Sequence, residues 1–285
     1  AEVLVDEQLA ARSPPKVDGT KPEKKSSLRL ISFGLIIIFC YILYFSIKHY
    51  SAIFIDSRNL TASTDLKFIP INGKRVTIKG KNVRVENFKV SEIEVTISLF
   101  RQFITETKYR PVANFRCQDH ASNYDASWNN TLYNLKNDLP VTCVAPQDAL
   151  QFTHWFNQKH NVNVHLPTLA QWLVFANEEM ITSGDCAKDN LLDKSTANKL
   201  NIAKSYDCMD DHYEPAPAKK FTANRIGLFN VRGNVSELVF LCEQPDNCDN
   251  IGVVGESWRN KSDDLRKESK FNGARNDVGF RLVYR

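Results

Sequence analysis

The sequence is poor in the signatures that announce a common chemistry. It has no Cys-x-x-Cys spacing, which removes the usual thiolate zinc knuckle. It has no G-x-S-x-G elbow, no P-loop and no H-E-x-x-H, so the corresponding hydrolases, nucleotide-binding proteins and zinc proteases lack their defining residues here. Net charge is only +4, from 37 basic and 33 acidic side chains, and it reads as dispersed along the chain. Without a basic stripe interleaved with aromatics, nucleic acid is not an expected partner. What is there is an ordinary globular composition, 42% hydrophobic and 25% charged over 285 residues. That length accommodates one large domain with appendages.

One appendage is conspicuous. Leu30 to Ile47 is an uncharged apolar run between Arg29 and Lys48, about 27 Å long as a helix and therefore close to the hydrocarbon thickness of a bilayer. A buried core helix is the alternative, but a run apolar on every face with charged flanks is characteristic of a membrane span. A cleaved signal peptide fits less well, because a long tail precedes the run and no small-residue cleavage site follows it. Residues 1–29 are polar, with Pro14, Pro15 and Pro22, and are expected to be a disordered tail. Lys21, Lys24, Lys25 and Arg29 crowd the N-terminal flank, whereas Lys48 and Arg58 lie beyond the run. The positive-inside bias then places the N-terminus in the cytoplasm and the rest in the periplasm, lumen or extracellular space. Residues 48–65 read as a linker and 66–285 as the folded domain.

Cysteine usage points the same way. Apart from Cys40 in the apolar run, six cysteines remain, all C-terminal to it. An even set confined to one side suits an oxidising compartment. Sequence does not choose among the possible pairings. The sequential one, Cys117–Cys143, Cys186–Cys208 and Cys242–Cys248, is favoured because each pair brackets a stretch that reads as irregular loop.

Within the domain, strands are expected at Lys67 to Ile71 and Val83 to Val95. A first helix runs Ile97 to Lys108 with Leu99, Phe100, Phe103 and Ile104 on its apolar face. A second runs Ala149 to Lys159 and presents Leu150, Trp155 and Phe156. A third follows Leu166-Pro167-Thr168, where Thr168 and Gln171 spell a T-x-x-Q capping box. After Ala176 the chain is loop-rich.

Three C-terminal pieces, IGLFNVRGNVSEL (Ile226 to Leu238), VVGESW (Val253 to Trp258) and DVGFRLVYR (Asp277 to Arg285), follow one another in the order G-L-Y-D-M-x-G-N-V-W-E-W, R-G-G-S-W, G-F-R. Upstream, FIPING (Phe68 to Gly73), SEIEVTISLFRQFITETKYRP (Ser91 to Pro111), LPVTCVAPQDALQFTHWFN (Leu139 to Asn157) and HLPTLAQWLVFAN (His165 to Asn177) match further family segments. In these respects the chain resembles the formylglycine-generating enzyme, or sulfatase-modifying factor, family from about Leu66 to Arg285. The resemblance implies an α+β, C-type-lectin-like fold with much irregular structure, stapled by disulfides and calcium.

Catalysis is where the pattern departs. Oxidase members carry two copper-binding cysteines three and eight residues after the serine of G-G-S, and counting from Ser257 these positions hold Asn260 and Leu265. Neither supplies a thiolate, the ligand that selects soft copper, so no copper and no formylglycine chemistry are expected. Iron-dependent relatives use a histidine cluster, and the spacing of His154, His160 and His165 does not put them on one helical face. Calcium fares better. The family's N-x-x-G-N-[AV]-x-E maps onto Asn230, Gly233, Val235 and Glu237, and a second site maps onto Asn201, Ile202, Asp211 and Tyr213, with the spacing off by about one residue. Both are oxygen sets of the kind hard cations take. Gln244-Pro245-Asp246 matches a galactose-lectin tripeptide, but inside a cysteine-closed loop and at the wrong spacing. The four N-x-[ST] sequons at Asn59, Asn129, Asn234 and Asn260 do not establish a glycosylating host.

The resulting expectation is a single-pass membrane protein that displays a non-catalytic domain outside the cytoplasm to recognise a protein, peptide or other ligand. Trp258, Asn260 and Arg275 lie in the segment corresponding to the family's groove. The rival readings are an oxidoreductase with a reworked, non-haem-iron centre and a structural envelope component.

Overall fold

The computed structural model describes residue 41 and residues 66–112, 117–118, 126–131, 135–176, 185–242, 248–262 and 269–285. The chain divides into Ala1–Ser57 and Arg58–Arg285. Of the first unit only Tyr41, helical and exposed, is described, so the apolar run otherwise lies outside the described residues. Among those residues no helix is long and apolar enough to cross a membrane.

The second unit mixes short strands and helices, an α+β arrangement. Its element order is β1 (Phe68–Ile71), β2 (Arg75–Ile78), β3 (Lys81–Arg84), β4 (Phe88–Ser91), α1 (Ile97–Thr107), β5 (Cys117–Gln118), α2 (Pro146–His160), β6 (Val164–His165), α3 (Leu169–Ala176), α4 (Lys194–Leu200), β7 (Ser236–Phe240), β8 (Ile251–Val254), β9 (Ser269–Lys270), β10 (Ala274–Arg275), β11 (Val278–Gly279) and β12 (Val283–Tyr284). One four-stranded sheet has the order β1-β4-β12-β6 and another β11-β7-β8-β9. In the first, the C-terminal strand sits between two elements made much earlier. Val283 is opposite Val90 on one side and His165 on the other.

The helices start where their caps dictate. Thr96 takes Leu99 N–H on its hydroxyl and begins α1, and Lys108, in left-handed conformation at φ 57°, ends it. Ile97, Leu99, Phe100 and Phe103 are buried, whereas Ile104 is only half-covered. The capping box of α3 forms reciprocally. Gln171 accepts Thr168 N–H at 2.9 Å and Thr168 accepts Gln171 N–H at 3.2 Å. Helix α2 begins a turn earlier than its apolar pattern suggests, because Pro146 starts it and the Asp148 carboxylate accepts Ala145 N–H at 2.9 Å. The expected strand Val83 to Val95 is interrupted. A hairpin, β2 to β3, precedes a break at Val85 to Asn87, where Asn87 accepts Gly73 N–H at 2.8 Å and redirects the chain into β4.

Two apolar clusters result. In the first, fully buried Phe152 of α2 touches Phe100, Phe103, Trp155 and Phe280, with ring centroids 5.3–6.0 Å apart. In the second, α3 lays Trp172 and Phe175 against Phe88, Val90 and the inner face of the β2–β3 hairpin. Disulfides join Cys117–Cys143, Cys186–Cys208 and Cys242–Cys248. This is the sequential pairing, and the bonds tie irregular segments that have little core of their own.

Candidate functional site

The loop Phe229 to Ser236 builds a buried polar cage. Asn230 and Asn234 both adopt left-handed backbone, at φ 52° and 64°, a conformation asparagine tolerates better than most residues. Gly233 between them has no room for a side chain: a Cβ there would lie 2.3 Å from Asn190 O. The tight path turns both amides inward and leads into β7, which carries Glu237. Strand β11 pairs with β7, Gly279 opposite Glu237, and brings Arg281 alongside. The Arg281 Nε donates to Glu237 Oε1 at 2.5 Å, and its other nitrogens donate to Ser91 O and Phe229 O at 3.2 and 3.0 Å. Trp172 Nε1 donates to Glu237 Oε2 at 2.9 Å.

A third charged group, Glu94, completes this cage. It leads into α1 and is completely buried. Its two carboxylate oxygens each accept a side-chain amide, from Asn230 and Asn234, at 3.2 Å. Burial, together with the repulsion of Glu237 and against the attraction of Arg281, pushes the Glu94 carboxyl up to about 7. Burial likewise raises Glu237, with Arg281 opposing. Two buried carboxylates thus face one guanidinium. Asn230 Oδ1 is buried with no hydrogen-bond partner, an oxygen donor facing an excess of negative charge. Among the described residues no group of three or more His, Cys, Asp or Glu side chains is placed to hold a metal; both oxygens of Glu94 and of Glu237 already accept hydrogen bonds, so the Asn230 amide oxygen is the cage atom left to meet a hard cation. Glu94 is a member the sequence reading omitted; its place in E-V-T beside the family helix was the available signal.

The second oxygen set is less well gathered. Asn201 caps the end of α4 and Asp211 follows nine residues of loop; both are exposed, at φ 55° and 63°. Lys199 Nζ sits 4.6 Å from the ring centroid of exposed Tyr213. The carboxylates that turn inward are Asp193, which caps α4 through Thr196 N–H at 2.7 Å, and Asp210, which accepts Leu191 and His212 N–H. Burial pushes Asp210 up to about 6. Of the two adjacent carboxylates, Asp210 is half-buried and Asp211 is exposed.

The groove candidates meet around Ser257. Ser257 and Asn260 exchange backbone hydrogen bonds at 3.1 and 3.2 Å, forming a tight turn that buries Trp258 and exposes Asn260. Trp258 Nε1 is buried without a partner. Arg275 joins through Asp277, whose carboxylate accepts Arg275 Nε at 3.0 Å and the Ser257 hydroxyl at 2.9 Å. Leu265 lies outside the described residues, as does Gln244-Pro245-Asp246. One residue earlier, Glu256 is buried and accepts Arg232 Nε at 3.1 Å, the Tyr206 hydroxyl at 2.9 Å and Ser262 N–H at 2.8 Å. These donors fix the carboxylate in place. His154 is exposed, His160 packs 4.5 Å from Phe156, and His165 pairs in β6, so the histidines do not converge. The Asn234 sequon is fully buried and carries no glycan in the folded state.

Residues 64–285 match the model of the sulfatase-modifying factor enzyme 1-like domain. The chain belongs to this family. Among solved structures, CarF is similar at TM-score 0.53 and 17% identity over 77% of this chain and 98% of CarF. PvdO from Pseudomonas aeruginosa is similar at 0.56 and 14% over 77% and 91%, and Treponema denticola variable protein 1 at 0.51 and 16% over 79% and 96%. Identities this low establish the family fold and carry no activity across. No curated protein matches the chain. Against the family pattern, the Gly255-Glu256-Ser257 turn keeps its first glycine, at φ 79°, and puts Glu256 where the second would be.

Proposed function

We propose that this chain is a single-pass membrane protein, anchored by residues 30–47, whose family domain faces the oxidising side and recognises a protein or peptide without catalysing formylglycine formation. The observation that carries the non-catalytic reading is the fate of the thiols. All six cysteines of the domain are spent in disulfides, and position 260, on the turn after Ser257, is an exposed asparagine. Copper-dependent oxidation needs paired thiolates at a soft metal. Three disulfides also suit an exported domain. Calcium, in this reading, is a structural ligand held by Asn230, Glu237 and the backbone of Gly233 and Val235, with Glu94 adjoining; the orphaned Asn230 oxygen supports it. The set Asn201, Ile202, Asp211 and Tyr213 has no comparable support.

The test is direct. The purified domain, loaded with copper and given oxygen, is incubated with a C-x-P-x-R peptide, and the product is read by mass spectrometry. The expected result is no formylglycine above a control without protein. Turnover above that control would return the chain to the oxidoreductases. Topology is read separately by adding protease to intact cells or spheroplasts, where digestion of the domain is expected and full protection would reverse the orientation.

A further inference from the structure

One short segment concentrates the net charge of the chain. Between Lys74 and Glu86 the β2–β3 hairpin carries five cations, Lys74, Arg75, Lys79, Lys81 and Arg84, against the single acid Glu86. That excess of four equals the net charge of the whole chain, so the remaining residues balance. Strand alternation sorts the hairpin into two faces. Val76 is buried and Ile78 and Val83 are half-buried against the second apolar cluster, whereas Arg75, Lys79, Lys81 and Arg84 are exposed. Arg84 is paired with Glu86 at 2.8 Å. Guarding the edges of a two-stranded ribbon takes a charge or two, fewer than the four cations exposed here.

A second feature lies beside it. Between the hairpin, α3 and the residues entering the Cys242–Cys248 loop is a cleft of about 230 Å³, with Ile78, Val83, Leu169 and Leu241 among its walls and Lys79 and Lys81 also lining it. Apolar walls with ammonium groups match a molecule that is anionic at one end and hydrocarbon at the other. The hairpin is also the first element after β1. Only 18 residues, 48–65, separate the proposed anchor at residues 30–47 from the domain, so that anchor would keep a bilayer at high effective concentration near the hairpin.

We infer that the β2–β3 hairpin is a docking surface for anionic phospholipid and holds the domain against the membrane that anchors it. The inference rests on the anchor proposed above only for how close the bilayer lies. Electrostatic attraction to an anionic surface contributes about five-fold in partitioning per cation and is screened by salt.

The test uses the full chain in nanodiscs of phosphatidylcholine alone or with phosphatidylglycerol, reading amide hydrogen exchange in the hairpin. Exchange at residues 74–86 is expected to slow in the phosphatidylglycerol discs, to recover at high salt, and to recover in the Arg75→Glu/Lys81→Glu variant, whose apparent affinity should fall at least about 25-fold. An unchanged melting temperature shows that the variant is folded. Equal exchange in the two lipids, insensitivity to the charge reversals, or protection in phosphatidylcholine discs on adding inorganic phosphate alone would overturn the proposal. Resistance to alkaline carbonate extraction reads the anchor independently. If the chain is extracted, cosedimentation of the full chain with phosphatidylglycerol vesicles, compared with phosphatidylcholine vesicles and with the same variant, decides the hairpin by itself.

Discussion

Replacing Arg281 by methionine isolates the electrostatics of the buried cage. The side chain is fully buried and donates to Glu237 Oε1, Ser91 O and Phe229 O. Methionine fills much of the volume but removes the only guanidinium facing two carboxylates. Leaving one partner of a buried ion pair uncompensated costs about 3–5 kcal/mol, while two stranded carbonyls add up to about 1–3 kcal/mol each if water does not reach them. Neutral protonation of Glu94, already pushed up to about 7, offsets part of this, so a net loss of about 3–5 kcal/mol is expected for the oxidised domain Leu66–Arg285. Urea unfolding followed by tryptophan fluorescence is the assay, since Trp172 donates directly to Glu237. The double variant Arg281→Met/Glu237→Gln removes one of the stranded charges and should recover at least 1 kcal/mol by the same reasoning. A single variant within about 0.5 kcal/mol of the parent, at unchanged denaturant slope, would refute the claim that these charges are buried and mutually dependent.

Calcium should raise the melting temperature of the domain by binding only the folded state, about 2.7 kcal/mol at a hundredfold excess over its Kd, with chelator reproducing part of the loss caused by Glu237→Ala. No effect of either, with no calcium in the purified protein, would remove the site. Breaking Cys186–Cys208 as a double serine variant should cost about 3 kcal/mol, seen as a lower denaturation midpoint. Stability unchanged under reducing conditions would show that the loops it joins are held by other means.

Much of the domain was legible in local signals. Thr168 and Gln171 announce a helix start because capping is settled within four residues, and the family segments fix their order. The hairpin was missed because Val83 to Val95 alternates like one strand, and only the long-range contact of Asn87 with Gly73 breaks it. Glu94 was missed as a cage member for a related reason: its partners Asn230 and Asn234 are more than 130 residues away. Asp210 could not be told from Asp211 because which of two adjacent carboxylates turns inward depends on the left-handed backbone at Asp211. The disulfide pairing was favoured but not fixed by the sequence, and the sequential one forms, each pair closing its own loop.

The place of β12 governs how the molecule can be made. The central sheet is completed by Val283, hydrogen-bonded between strands that leave the ribosome long before it. Until Val283 is in place, the edges of β4 and β6 that it pairs stay open. A variant cut before Val283 would leave those two edges without their shared partner, and open strand edges invite pairing with another chain.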